Sequence, residues 1–149
     1  MSPDKTTSEI AGGGLRTTRQ RRAVAKAIEG LDTFESTQAV HELMKAQGES
    51  VGLSTVYRNL QALAEIGEVD FIRNQDGETL YRHCGSVHHH HLVCRQCGKA
   101  EELAGATVEK WVSRVASDHG FTQLSHEVEI FGLCPGCTSR RAVETPKNA

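Results

Sequence analysis

The sequence predicts an α+β chain of two small lobes, and three observations carry that prediction. Residues 15–83 hold three short stretches of helical apolar spacing and then a hairpin signal. Histidine and cysteine crowd into residues 83–97, where the character of the chain changes. Two Cys-x-x-Cys pairs, Cys94/Cys97 and Cys134/Cys137, bracket residues 98–133. With 149 residues, 38% of them hydrophobic and 24% charged, the chain can bury a core in one ordinary domain or two small ones, which sets aside wholesale disorder. No apolar run approaches the ~20 residues of a membrane span. Met1 to Gly14 lacks an apolar signal core, so a cytoplasmic protein is expected. In such a reducing compartment an odd count of five cysteines, beside eight histidines, points to metal rather than disulfides.

Each element has a local reason. Thr17-Thr18-Arg19-Gln20 fits a capping box, and Val24, Ala27, Ile28 and Leu31 then recur at helical spacing. Ser36 is placed to cap a second helix with Val40, Leu43 and Met44 inward, ended by Gly48. Ser54 is placed to cap a third, with Val56, Leu60, Leu63 and Ala64 inward and Gly67 after it. Val69–Arg73 and Glu78–Arg82 read as strands around Asn74-Gln75-Asp76-Gly77, a hairpin turn. Val108, Val112 and Val115 mark a helix ending near Gly120, and Leu124, His126, Val128 and Ile130 read as a strand of period two. The polar ends, residues 1–14 and 138–149, are expected to be disordered.

Three helices and a hairpin form the order of a winged helix-turn-helix, whose third helix enters the major groove of double-stranded DNA. Ser54, Thr55, Tyr57, Arg58 and Asn59 open that helix, with Gln61 nearby. Arginine forks onto guanine, and an aromatic ring or a threonine methyl meets the thymine methyl. The net charge is only −2, but Arg16, Arg19, Arg21, Arg22 and Lys26 form a cluster with no acid among them, suited to phosphate. A solvated helix face has the same composition, and many small helical domains share this order without touching DNA. Pattern alone therefore leaves both readings open.

The metal signal is more specific. Cys94, Cys97, Cys134 and Cys137 supply four thiolates, the ligand set of a closed structural zinc site. A redox dithiol lacks its usual βαβ context. His88-His89-His90-His91 is internal and abuts the first knuckle, unlike an expression tag. In an extended segment, side chains two apart share a face, about 6–7 Å apart along the strand. His89 and His91 then serve one site, and His88 and His90 another. Asp70 and Cys84 complete the first as one oxygen, one sulfur and two nitrogens. For the second, the candidates are Glu109 and His126. Spacing alone favours the plainer reading of both, Glu109 as an exposed helix acid and His126 as a hydrogen-bonded core histidine. His41, His83 and His119 read as packing or surface residues.

The segments Leu15–Arg21, Gly52–Leu60, His88–Cys97 and Cys134–Cys137 together resemble the ferric uptake regulator (Fur) superfamily, most closely its zinc uptake regulator (Zur) branch of actinobacterial type. The resemblance covers roughly residues 15–137. It implies a homodimeric, metal-dependent transcriptional repressor with an N-terminal winged helix-turn-helix and a small α/β dimerisation domain carrying the structural zinc. The implied division is 15–83 for DNA binding, 84–91 for a hinge bearing ligands and 92–137 for dimerisation. It also implies Asp70, Cys84, His89 and His91 as the regulatory zinc site. His88, His90, Glu109 and His126 become an additional one, making two to three zinc ions per subunit. Arg19, Ser54, Thr55, Tyr57, Arg58 and Asn59 become DNA contacts on a palindromic operator.

A thiolate beside imidazoles favours zinc over iron or manganese, leaving nickel or iron sensing as the nearest alternative. No catalytic residues are expected: there is no His-Glu-x-x-His motif, and the candidate sites leave no open position for water. A zinc-dependent redox chaperone is the alternative of another class, but it leaves the Tyr57-Arg58 helix without a purpose.

Overall fold

The structure, a computed structural model, describes residues 18–85 and 87–144. The Thr17 cap, Arg16 and the expectations for residues 1–14 and 145–149 lie outside the described residues. The chain divides into two compact units after Cys84.

In the first unit, helix α1 runs through residues 18–28 and buries Val24, Ala27 and Ile28. Helix α2 is Thr37–Ala46, and the Ser36 hydroxyl accepts from the Ala39 N–H at 3.1 Å as the cap the sequence suggests. Helix α3 is Leu53–Glu65. It begins two residues before the start that a Ser54 cap implies. Gly52, not Ser54, is its cap, and the Gly52 carbonyl accepts from the Thr55 and Val56 N–H groups. The Ser54 hydroxyl is thus left on an exposed first turn. Val56, Leu60 and Leu63 close one core with Val40, Met44 and the α1 stripe.

Strands β2 (Asp70–Arg73) and β3 (Thr79–Arg82) pair antiparallel, with Asp70 opposite Arg82. Their turn forms because the Asn74 Oδ1 accepts from the N–H groups of Asp76 and Glu78, while Gly77 takes a φ of 78°. A two-residue strand β1 (Glu35–Ser36), too short for a periodic signal, adds to β3, giving the order β1-β3-β2.

The second unit is a sheet of order β5-β4-β6, built from β4 (His90–Cys94), β5 (Ala100–Leu103) and β6 (Glu129–Gly132). Helix α4 (Ala106–His119) ends at Gly120 in the left-handed conformation, as the pattern suggests. Three expectations are corrected here. The strand begins at Glu129, not Leu124, because pairing with β4 starts where His91 meets Glu129. The preceding Gln123 is turned to a φ of 55°. His90 and His91, expected in the hinge, are the first residues of β4. Residues 138–144, expected to be disordered, continue helix α5 (Pro135–Glu144). Proline suits a first helical turn, Cys137 is fully buried, and the Thr138 N–H reaches the Cys134 carbonyl, so the knuckle itself nucleates this helix. Among the described residues no helix is long and apolar enough to cross a membrane.

Leu60 is fully buried in the first core. Leu60→Ala is expected to destabilise this unit by about 2–5 kcal/mol through lost burial plus a cavity, read by denaturant unfolding.

Candidate metal centres and nucleic-acid interface

The four sulfurs of Cys94, Cys97, Cys134 and Cys137 lie within 4.8 Å of one another. Cys94 ends β4, and the chain reverses through Gly98 at φ 77°, with the Gly98 N–H on the Cys94 carbonyl at 2.9 Å. Cys134 and Cys137 sit across the first turn of α5. Tetrahedral zinc with Zn–S of about 2.3 Å sets sulfurs about 3.8 Å apart; Cys97 and Cys134 are 3.7 Å apart. The set fits zinc. Burial alone would raise the Cys94 thiol, but the backbone N–H groups of Cys134, Cys97 and Gln96 outweigh it and bring it down to about 6. The Cys137 N–H likewise lowers Cys134. Burial and then the neighbouring Cys134 push Cys137 up to about 12. Backbone dipoles thus favour thiolates that repel one another, an arrangement a divalent cation relieves.

A second set gathers around α4. The Nε2 atoms of His88, His90 and His126 stand 3.0, 2.6 and 2.9 Å from one oxygen, the Glu109 Oε1. A carboxylate oxygen has two lone pairs, so three imidazoles oversubscribe it as an acceptor. Three nitrogens and an oxygen facing one point are a donor set for a cation, and imidazole with carboxylate suits zinc. Hydrogen bonds from His126 and His90, against some burial and with help from His88, hold the Glu109 carboxyl down to about 2. Glu109 and His126, which spacing alone reads as a surface acid and a core histidine, therefore meet His88 and His90.

The remaining four candidates divide between the units, two in each. In the first, Asp70 on β2 and Cys84 after β3 bring their ligand atoms within 4.8 Å of each other. The Arg82 Nη1 donates to the Cys84 Sγ at 3.2 Å. Burial, with the Asp70 carboxylate adding to it and Arg82 opposing, pushes the Cys84 thiol up to about 12. In the second unit, the Nε2 atoms of His89 and His91 are 3.0 Å apart. The His89 Nδ1 meets the Val87 carbonyl at 2.6 Å. A carbonyl only accepts, so Nδ1 carries the proton and Nε2 presents a lone pair, the orientation a metal-binding histidine needs. Spacing did not single out Arg82. Counting the hairpin register from its turn would have placed it opposite Asp70.

On α3, Tyr57 is 48% exposed, and Ser54 and Arg58 are exposed beside it. The Gln61 Nε2 donates to the Tyr57 hydroxyl at 3.0 Å, bracing the ring from one turn away. Thr55 is half-buried, and Arg19 is exposed on α1. Asn59 departs from its expected role. It is 5% exposed, and its amide donates to the Thr55 carbonyl at 2.8 Å, so it braces the helix and presents nothing to a groove. A polar residue one turn from Thr55 satisfies its own backbone when it falls on the buried stripe.

The ferric uptake regulator family model matches residues 12–131. The chain is 47% identical over 130 residues to the zinc uptake regulation protein of Mycobacterium tuberculosis, spanning 87% of this chain and 100% of that one. It is 31% identical over 132 residues to the ferric uptake regulation protein of Campylobacter jejuni, spanning 87% and 84%. The crystal structure of a zinc uptake regulator from M. tuberculosis, FurB, matches it with a TM-score of 0.53 at 47% identity, covering 85% of this chain and 98% of that one.

Glu109 titrates below its ordinary 4.5, at about 2, so the stability it lends is present above the unfolded value and is lost as pH falls toward the folded one. In metal-free protein, the advantage of the native chain over Glu109→Gln is expected to shrink steadily across that window. Urea unfolding at stepped pH reads it, and an advantage that stays constant would contradict the hydrogen-bonded carboxylate.

Proposed function

Because the chain belongs to the ferric uptake regulator family, we propose that it is a zinc-responsive DNA-binding transcriptional repressor of zinc uptake and homeostasis genes. The observation that carries this reading is the pair of half-sites on either side of the break after Cys84. Asp70 and Cys84 belong to the first unit, and His89 and His91 to the second. The proposed regulatory set draws one carboxylate and one thiolate from the first unit and two imidazoles from the second. With both acids ionised, it balances the charge of a divalent ion. Bound there, zinc would supply a joint shared by both units. Thiolate beside imidazole favours zinc over iron, the metal named for the Campylobacter relative. Cys84 must give up its proton to join the set, so uptake releases a proton and weakens as pH falls.

The residues divide the rest of the work. Cys94, Cys97, Cys134 and Cys137 hold a structural zinc that pins β4 to α5, and His88, His90, Glu109 and His126 hold an additional one. This makes two to three ions per subunit. Ser54, Tyr57 and Arg58 face the bases, and Arg19 lies on phosphate. The partner is a second copy of the chain. Exposed apolar side chains on the second unit, Leu92 at 40% paired beside Ile130 at 48%, and Trp111 at 64% on α4, support a covered face there. Joining the two units of each subunit fixes the spacing of two α3 helices, and a palindrome with half-sites about one turn apart then meets both. The ligands favour one arrangement over others, a population shift that is reciprocal: operator DNA tightens the regulatory set by the same factor, typically about 1–3 kcal/mol. The protein works in the cytoplasm and is not an enzyme.

The deciding experiment titrates one defined palindrome with the full chain at buffered free zinc, iron and nickel. Zinc is expected to promote binding at the lowest free concentration, and equal affinity with and without zinc would end the proposal. Cys84→Ala is expected to lose zinc-dependent DNA binding while remaining a folded dimer. A variant that still responds to zinc would remove Cys84 from the sensor. Arg58→Ala is expected to lower specific over nonspecific binding, whereas Arg19→Ala weakens both and reduces the salt slope by about one. Equal effects of the two changes would contradict that division.

A further inference from the structure

We infer that Gly105 is the positioning residue of the set formed by His88, His90, Glu109 and His126, an inference that rests on that set being a metal site. Gly105 caps α4 with φ 53° and ψ 40°, a left-handed conformation, and no side-chain hydrogen bond caps the helix. Its carbonyl accepts from the Glu109 N–H at 3.1 Å, so it starts the turn that carries the carboxylate. A Cβ added to it would stand 2.8 Å from the His90 Cδ2 and 3.4 Å from the His90 Nε2, with the Val108 Cβ 3.7 Å away. The volume a side chain would fill at position 105 is the volume the imidazole uses.

The ring has nowhere else to go. His90 is 3% exposed. A histidine that binds metal through one nitrogen is ordinarily aimed by a hydrogen bond from the other. Here the His90 Nδ1 is buried with no such partner among the described residues. Packing therefore aims this imidazole, and Gly105 is the wall that lets it approach the turn bearing Glu109. In an interior packed to the density of an organic crystal, a contact below 3.0 Å forces the ring or the helix start to move. Either movement takes the His90 Nε2 off the point it shares with the Glu109 Oε1.

The test uses the full chain and cobalt(II) as the probe, added after zinc has been retained at the four cysteines. The readouts are the ligand-field spectrum of a set without thiolate and the affinity from competition with a chelator. Gly105→Ala adds both the Cβ and backbone strain. Gly105→Asn tolerates the left-handed backbone and adds a Cβ with its carboxamide without that strain, so it still tests the contact if the alanine variant does not fold. Both are expected to bind cobalt about 10–100-fold more weakly, the usual effect of disturbing a residue behind a metal ligand. Retained zinc and thermal stability should stay near native for Gly105→Asn. On a His90→Ala background the same change should have no further effect. Native affinity and spectrum in Gly105→Asn would overturn the inference, as would an undiminished loss on the His90→Ala background. His126→Ala separates the two possible failures. If it leaves cobalt uptake unchanged, the set is not a metal site; if it removes uptake while Gly105→Asn does not, only the role of Gly105 is lost.

Discussion

The two-residue period of β4, His90–Cys94, and of the histidines leading into it is the constraint on which the second unit depends. It sends the His88 and His90 nitrogens to the Glu109 Oε1 and brings the His89 and His91 nitrogens to within 3.0 Å of each other. Three residues later the same strand delivers Cys94 to the four-cysteine set. A one-residue slip of β4 against β5 and β6 would exchange the two histidine faces and displace the knuckle. The parallel pairing of His91 with Glu129 and Cys94 with Gly132 therefore does more than complete a sheet. It places the chain entering α5 where Cys134 and Cys137 can close on Cys94.

Protonation links these sets to their ligands. At the four cysteines, backbone N–H groups favour thiolates at Cys94 and Cys134, while burial and neighbouring thiols hold Cys137 protonated. Four thiolates around one divalent ion leave two negative charges. The Arg140 guanidinium, on the length of α5 that composition marked as tail, donates to the Cys137 Sγ at 3.3 Å and offsets part of that charge. Cys84 is prepared like Cys137 and unlike Cys94 and Cys134. Burial and Asp70 keep its thiol protonated until a cation competes for the sulfur, with Arg82 alone favouring the anion. The proposed structural and regulatory sets would thus take up a cation from different starting states.

Local patterns in the chain anticipated much of this. Helical spacing marked the buried faces of α1, α2 and α3, Ser36 was readable as a cap, and Asn74 to Gly77 as a turn, because each depends on residues within a few positions of one another. Parity separated the four histidines for the same reason. Patterns that needed a partner elsewhere were misread. Leu124 to Val128 alternates like a strand, yet only Glu129–Gly132 has β4 beside it. Asn59 looks available for a base until the core of the first unit covers it.

By itself the sequence determined which side chains are chemically equipped to bind metal and DNA, and in what local spacing, since short-range geometry follows from backbone periodicity. Tertiary structure decided which distant donors share a point: that Glu109 and His126 meet His88 and His90, that α5 carries Arg140 to the cysteines, and that Gly105 must lack a side chain. Those outcomes depend on volume and on contacts between segments far apart in the chain. Neither quantity is encoded at any single position.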